Sequence, residues 1–486
     1  MPTKPYKSKA TDFSRLLSRY ITESSYTIYK MSKMLGIDRT AIQHYIAGDA
    51  LPRPENFESI CSVLTITPEQ KNELTELYTK ERLGARTYFN RKAIKHMIEA
   101  LPQYKVTGGT TMNFIHSENQ SSTASEAVSG MINVNNVLIN AVADEMNEDA
   151  PRIASTIPFD DSVFYDFILQ ILSSNTDKVS FDHYFRIYMS DKNEPDNINI
   201  TNLGNILRMS LSTDFKYHPY GYYAYKDSVD DNMSVFPYCL ITRSCAVMVS
   251  RDYQSGVVMR QPDIVGEIRK HIDRLSRISH KIIDSIEPLM IFDLFMDSTR
   301  NVNKSIEFQP CITNLMSWDI VKKRVIDIDK RPELLKTVKE AFFTAEQLEI
   351  TKNQDIKMMF CEEGLRYFAK TGSLMNLPGQ LISPLSVNER IFILKQLRSN
   401  LERYCMIDSS KMTIPPFMQL VSLTTNQCIL SCMTKEATFV CKLTETSLCN
   451  AIDDFIESIT TGGEMTVGDE ETINIIDSCI HDLEIM

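Results

Sequence analysis

The stretch Thr27–Gly48, TIYKMSKMLGIDRTAIQHYIAG, reads as two short helices joined by a tight turn. Ile28, Met31 and Leu35 recur three and four residues apart, which lays one apolar stripe along a first helix from Thr27 to Leu35. Gly36 follows, where a helix end commonly turns into the left-handed region that glycine enters without a steric penalty. Asp38 offers a side-chain oxygen to the free N–H groups of a second helix, Arg39 to Ala47. Ile42, Tyr45 and Ile46 can face the first helix, which leaves Arg39, Thr40, Gln43 and His44 pointing away. A helix of this length fits the major groove. There Arg39 can bond guanine O6 and N7 together, Gln43 can do the same for adenine N6 and N7, Thr40 can touch a thymine methyl, and His44 a base or a phosphate. Thr27, at a helix N-terminus, and Arg53, in the following loop, are candidates for phosphate contacts, which fix position without reading sequence.

Outward from this pair, Phe13, Leu16, Leu17 and Tyr20 predict a helix over Asp12–Ile21 packed behind it. A fourth helix is expected over Asn56–Leu64, with Phe57, Ile60, Val63 and Leu64 as its stripe. Thr67-Pro68-Glu69-Gln70 starts a fifth that runs to Arg82: a threonine cap, proline in the first turn and a glutamine able to bond back. Ala85–Leu101 is a basic amphipathic segment carrying Arg86, Arg91, Lys92 and Lys95, suited to a solvated face or to added DNA-backbone contact. These segments make a head over residues 10–105, preceded by a basic arm over 1–9 expected to be disordered.

The arrangement resembles the helix-turn-helix of the Cro and lambda-repressor class, the XRE family of bacterial transcriptional regulators. The resemblance spans roughly residues 10–80 and rests on Gly36 in the turn, Ser32 where the family usually has alanine, Ile37, Ile42, Gly48 and the loop Pro52–Pro54. It implies an all-α head of five helices, double-stranded DNA as partner, and base-reading positions at Asp38, Arg39, Thr40, Gln43 and His44. A single head reads only a half-site, so a homodimer on a near-palindrome is expected.

The 486 residues suggest about three globular units, and 43% hydrophobic with 24% charged residues is ordinary for a soluble protein. The net charge of −11 is unevenly spread: residues 1–105 carry 17 Lys and Arg against 11 Asp and Glu, the remainder 35 against 52. A positive head on an acidic body suits a chain that meets phosphate at one end. The richest apolar patch, Pro288–Met296, is short and holds Asp293, so no membrane span is expected. MPTKPYKSKATDF lacks the apolar centre of a secretory signal. Eleven cysteines are scattered without a C-x-x-C pair, as suits reduced, buried thiols in a cytoplasm and no structural metal.

Residues 106–130, rich in Gly, Ser, Thr and Asn, read as a flexible linker. Beyond it strands and helices alternate, predicting an α/β (α+β) body and so a multidomain chain. Strands are expected at Arg152–Pro158 and Val179–Met189, with helices at Ser162–Ser173 and Ile198–Leu211. Three strands follow at Val235–Thr242, Cys245–Ser250 and Gly256–Arg260, then a helix from Pro262. Phe417–Leu423, Cys428–Met433, Thr438–Lys442 and a helix over Glu445–Ile459 repeat that series at a spacing of about 180 residues. Two related lobes are therefore expected, 131–285 and 286–486, joined by a helical connection over Ile282–Leu401.

No G-x-S-x-G elbow, phosphate-cradling glycine loop or H-E-x-x-H occurs, so the chain is expected to be non-enzymatic and to need no cofactor. In the body, Tyr217, His218, Tyr220, Tyr222 and Tyr223 crowd one segment, as a pocket for a small-molecule or peptide effector would require, although aromatic runs are also ordinary strand material. The function expected is a sequence-specific DNA-binding regulator whose body senses a signal or dimerises. Two alternatives stay open: an interaction scaffold with a degenerate head, and an enzyme fused to a DNA-binding head.

Overall fold

The computed structural model describes residues 10–104, 125–159, 162–173, 179–189, 197–212, 216–225, 234–285, 301–312, 315–325, 331–344, 356–375, 382–416, 418–433 and 438–485. The chain divides into two compact units, a head that ends at Lys92 and a body that begins at Ala93.

The head is built from α1 (Asp12–Glu23), α2 (Ile28–Leu35), α3 (Arg39–Ala47), α4 (Pro54–Val63), α5 (Pro68–Leu83) and the first turns of α6 (Ala85–Ala100). Two of its helices open on reciprocal side-chain caps. Thr11 and Ser14 form a reciprocal capping box on α1, as do Thr67 and Gln70 on α5, where Pro68 takes the first helical position and needs no amide. Phe13, Leu17, Met31, Ile42, Ile60 and Leu74 meet in one core. Phe57 stacks on Tyr78 at 4.0 Å between ring centroids, with Phe13 tilted against both.

The body holds two sheets. The first uses β1 (Glu126–Ser129), α7 (Met131–Glu145), β2 (Arg152–Ser155), α8 (Ser162–Ser173), β3 (Ser180–Met189), α9 (Ile198–Ser212) and β4 (Lys216–Tyr225). A meander follows, β5 (Tyr238–Ile241), β6 (Ala246–Val249) and β7 (Ser255–Met259), then α10 (Pro262–Ile278) and β8 (His280–Lys281). The second uses β9 (Ile283–Ser285), β10 (Val302–Glu307), α11 (Trp318–Arg324), α12 (Arg331–Phe342), β11 (Lys357–Cys361), α13 (Glu362–Thr371), α14 (Val387–Arg398) and β12 (Tyr404–Ile407). It closes with β13 (Met418–Leu423), β14 (Gln427–Met433), β15 (Thr438–Leu443), α15 (Thr446–Gly462) and α16 (Asp469–Ile485).

The two sheets share one topology. The first runs β1-β7-β6-β5-β2-β3-β4-β8; the second, read from its β9 end, runs β9-β15-β14-β13-β10-β11-β12. In each, three parallel strands (β2, β3, β4; β10, β11, β12) join an antiparallel meander through the first of them. In each, the chain leaving the helix after the meander returns antiparallel to the last parallel strand: β8 on β4, and Thr466 on Ile407. The repeat expected from the meander and its helix thus extends through the whole lobe.

Alternation along the strands sets the layers. In the first sheet Phe181, Phe185, Leu240 and Val247 face α7, α8 and α9, while Tyr184, Cys239, Ile241 and Ala246 lie under Val265 and Ile272 of α10. In the second, Ile306, Met359, Leu420 and Leu430 join the core that contains α8 and α9, together with Leu448, Ile452 and Phe455 of α15. Met358, Phe360 and Met406 turn the other way, to the core of α13, α14 and α16. Ile94, Met97, Ile98 and Leu101, at the end of α6 and just after it, are buried in the shared core.

Three expectations need correction. The head and body divide inside α6 and not at the glycine- and serine-rich stretch; residues 106–124 lie outside the described residues, and Glu126–Ser129 is a strand paired to β7. An edge strand needs only backbone bonds on one side, so it can form without an apolar period. The stretch expected to be a helical connection contains β10 and β11, interior strands of the second sheet, because a short unbroken apolar run such as KMMFC does not reveal its period. The second sheet already begins at Ile283: Ile282 donates to the Pro219 carbonyl at 2.9 Å and passes the chain directly from one sheet to the other.

Glu307, on β10, is buried and accepts from Ser305 Oγ at 2.7 Å. Burial pushes its carboxyl up from 4.5 to about 7, partly offset by hydrogen bonds from Ser305, Gln419 and Cys311. A raised carboxyl favours the folded state while protonated, so its contribution is complete below the unfolded value and is lost as pH rises through about 7. Glu307→Gln, which keeps the shape and removes the charge, should therefore stabilise the protein by up to about 3 kcal/mol at high pH. The gain should shrink toward pH 4.5, as read by urea melts across that range. A gain independent of pH would show that the carboxyl does not titrate there.

Candidate nucleic-acid interface

The helix pair is fixed by local chemistry. Thr27 Oγ1 accepts from the Lys30 amide at 3.3 Å and opens α2. Gly36 closes it at φ 66°, in the left-handed region. Ser32 Oγ donates to the Ile37 carbonyl at 2.6 Å across the turn, a bond that the alanine usual in the XRE family would lack. Asp38 Oδ1 accepts from the Thr40 amide at 2.7 Å and opens α3; that amide holds the Asp38 carboxyl below its ordinary range.

α3 then presents two unlike sides. Ile42 is fully buried, Tyr45 buried and Ile46 half-buried. Arg39, Thr40, Gln43 and His44 are all exposed on the opposite side. The structure thus brings these four onto one free helix face, with Asp38 at its start and its carboxylate engaged as the cap. The Thr27 hydroxyl is likewise engaged as a cap, and Arg53 is exposed at the start of α4. The loop before Arg53 is pinned from below, where Tyr78 Oη donates to the Pro52 carbonyl at 2.9 Å.

Sequence reading passed over Asp49. Gly48 ends α3 at φ 77°, and the Asp49 amide donates back to the His44 carbonyl at 3.0 Å while its Oδ2 lies 3.4 Å from His44 Nδ1. The available signal was an acid immediately after the glycine that ends the helix.

The five body residues expected to share a pocket do not. They lie on β4, where neighbours face opposite ways. Tyr217 turns into the core, with its Oη 3.2 Å from Nδ1 of the fully buried His183. His183 Nε2 is 2.7 Å from the Ile157 carbonyl, and burial holds this imidazole down to about 3, neutral. Tyr223, on the same side of the strand, donates to Glu445 at 2.7 Å. His218, Tyr220 and Tyr222 take the other side: His218 pairs with Asp182 at 2.8 Å, Tyr220 stacks on Tyr184, and Tyr222 accepts from Arg186 Nε at 3.1 Å.

Residues 17–71 match the family model of the Helix-turn-helix, HTH_3, and this supports DNA binding by the head. Comparison with curated proteins gave no match. Among solved structures, the chain is similar to that of TrmBL2, an archaeal chromatin protein described as showing a novel mode of DNA binding. That likeness has 10% identity and a TM-score of 0.20, and covers 57% of this chain and 96% of the other. A second is to phosphatidylserine synthase from Haemophilus influenzae Rd KW20, with 8% identity, a TM-score of 0.23, and coverage of 71% and 86%. TM-scores this low carry no argument about fold or activity.

The last of these neighbours is an enzyme, and the expectation that the chain is non-enzymatic is not carried further. That expectation rested on missing short motifs, which detect local signatures and not side chains assembled from distant segments. The likeness assigns no activity either.

Gly36 has no atom within 4 Å of where a Cβ would stand, so substitution there strains only the backbone. Gly36→Ala should cost the head about 1 kcal/mol in urea unfolding and leave α3 in place. A loss several times larger would mean that the Gly36 backbone is packed and not merely left-handed.

Proposed function

We propose that this chain is a sequence-specific DNA-binding transcriptional regulator that acts in the cytoplasm. α3 enters the major groove and Arg39, Thr40, Gln43 and His44 read base edges, while Arg53 and the Thr27 end of α2 hold phosphates. The reading rests on one observation: four polar side chains stand exposed on the free face of the second helix of a matched helix-turn-helix, while Ile42 and Tyr45 anchor its other side. Nothing in the packing of the head requires those four residues to be polar and hydrogen-bond capable; reading DNA does.

One such helix spans a half-site, so the operator is a near-palindrome bound by two copies. The two-lobed body is assigned the remaining tasks of a regulator, pairing the copies and answering a small-molecule or peptide effector.

Selection of bound sequences from a random duplex pool tests this reading. The full chain should enrich one motif, with a guanine opposite Arg39. Arg39→Ala should lose about 1–3 kcal/mol at that base pair and relax preference there alone. Failure to enrich any motif in low salt would overturn the reading. Arg53→Ala should weaken binding to all sequences alike and lower the slope of log affinity against log salt by about one. A change confined to one base position would remove Arg53 from the phosphate contacts.

A further inference from the structure

Asp49 holds His44 twice. Its amide donates to the His44 carbonyl at 3.0 Å, and its carboxylate lies 3.4 Å from His44 Nδ1. The side chain of Asp49 is the more shielded of the two, 29% exposed against 54% for His44, so the imidazole is the outward partner. An ionised carboxylate has no hydrogen to give, so Nδ1 carries the hydrogen in this pairing. In the neutral ring Nε2 is then bare and can only accept. Phosphate oxygens, guanine O6 and N7, and thymine O4 are acceptors too and cannot pair with it. The groups in the major groove that can are the amino groups of cytosine (N4) and adenine (N6).

We propose that Asp49 is a positioning residue for DNA reading: it fixes His44 as the Nδ1–H tautomer, so that His44 selects a base bearing an amino group. The proposal rests on the DNA-reading role given to α3 above and adds which residue sets the preference at one operator position. Gly48 makes the arrangement possible, because its left-handed backbone at φ 77° turns Asp49 back over the last turn of the helix.

Two measurements on the full chain near pH 8 test it. In the nitrogen spectrum of histidine-labelled protein, with the His44 signals identified by their loss in His44→Gln, Nδ1 should show the hydrogen-bearing shift and Nε2 the bare one. Asp49→Ala should reverse or mix the two. In the random-duplex selection, Asp49→Ala and His44→Ala should flatten the same single position, losing about fivefold preference for cytosine or adenine there. The other positions and the melting temperature should be unchanged. A bare Nδ1 in the unmodified chain, or an Asp49→Ala protein that keeps the preference, overturns the proposal alone. Absence of any sequence selection by the unmodified chain overturns the DNA reading beneath it as well.

Discussion

The geometry of the head depends on one constraint: within seven residues the chain must end α2, reverse, and start α3 at a fixed rotation. Left-handed Gly36 supplies the reversal, the Ser32 hydroxyl ties the turn to α2 through the Ile37 carbonyl, and Asp38 closes the first turn of α3. Ile42 then locks the rotation, since it is fully buried beside Met31 and leaves the side carrying Arg39, Gln43 and His44 no packing role. A surface meant to be read by hydrogen bonds gains from such rigidity, because side chains already placed lose little freedom when a partner arrives.

The same logic continues past α3. Gly48 ends the helix, Asp49 folds back onto His44, and Tyr78 holds the Pro52 carbonyl while stacking on Phe57 of α4. The loop that presents Arg53 is therefore tied to the aromatic centre of the head. Polar side chains at the ends of helices do structural work here, and those along the free side of α3 do not. That contrast is the physical difference between Asp38, whose carboxylate is engaged, and Gln43, which is exposed.

Much of this was legible in the sequence, and the failures have a common cause. The five head helices were readable because each has an apolar stripe and four of them open on a side-chain cap, as at Thr67-Pro68-Glu69-Gln70. The meander strands were readable from short apolar runs between turns, most to within a residue at each end, with the expected Val235–Thr242 shrinking to Tyr238–Ile241. β11 was not, because a strand covered on both faces has no alternation; its residues Met358 and Phe360 serve one core and Met359 and Cys361 the other. The tyrosines of β4 misled for the opposite reason: adjacent in sequence, they are sent to opposite faces by the strand's period of two. Asp49 was missed because its role depends on the left-handed step at Gly48, which brings it back over a residue five positions earlier.

The repeat sets α10 and α15 at equivalent places in unlike surroundings. Each follows its meander, yet the second is the more deeply buried. α15 buries Leu448, Cys449, Ile452, Phe455, Ile456 and Ile459 and shares a core with α9 of the preceding lobe. α10 buries only Val265 and Ile272 and exposes Asp263, Glu267, Lys270, Asp273, Arg274 and Arg277. Stacking a further lobe on α10 would strip water from those charges without offering partners for them. At the other end α16 closes the core of α13 and α14 with Ile476, Cys479, Ile480 and Leu483, and turns Asp477, Asp482 and Glu484 outward. α10 and α16 are thus both amphipathic helices that bury one apolar side on the body and expose charged residues on the other.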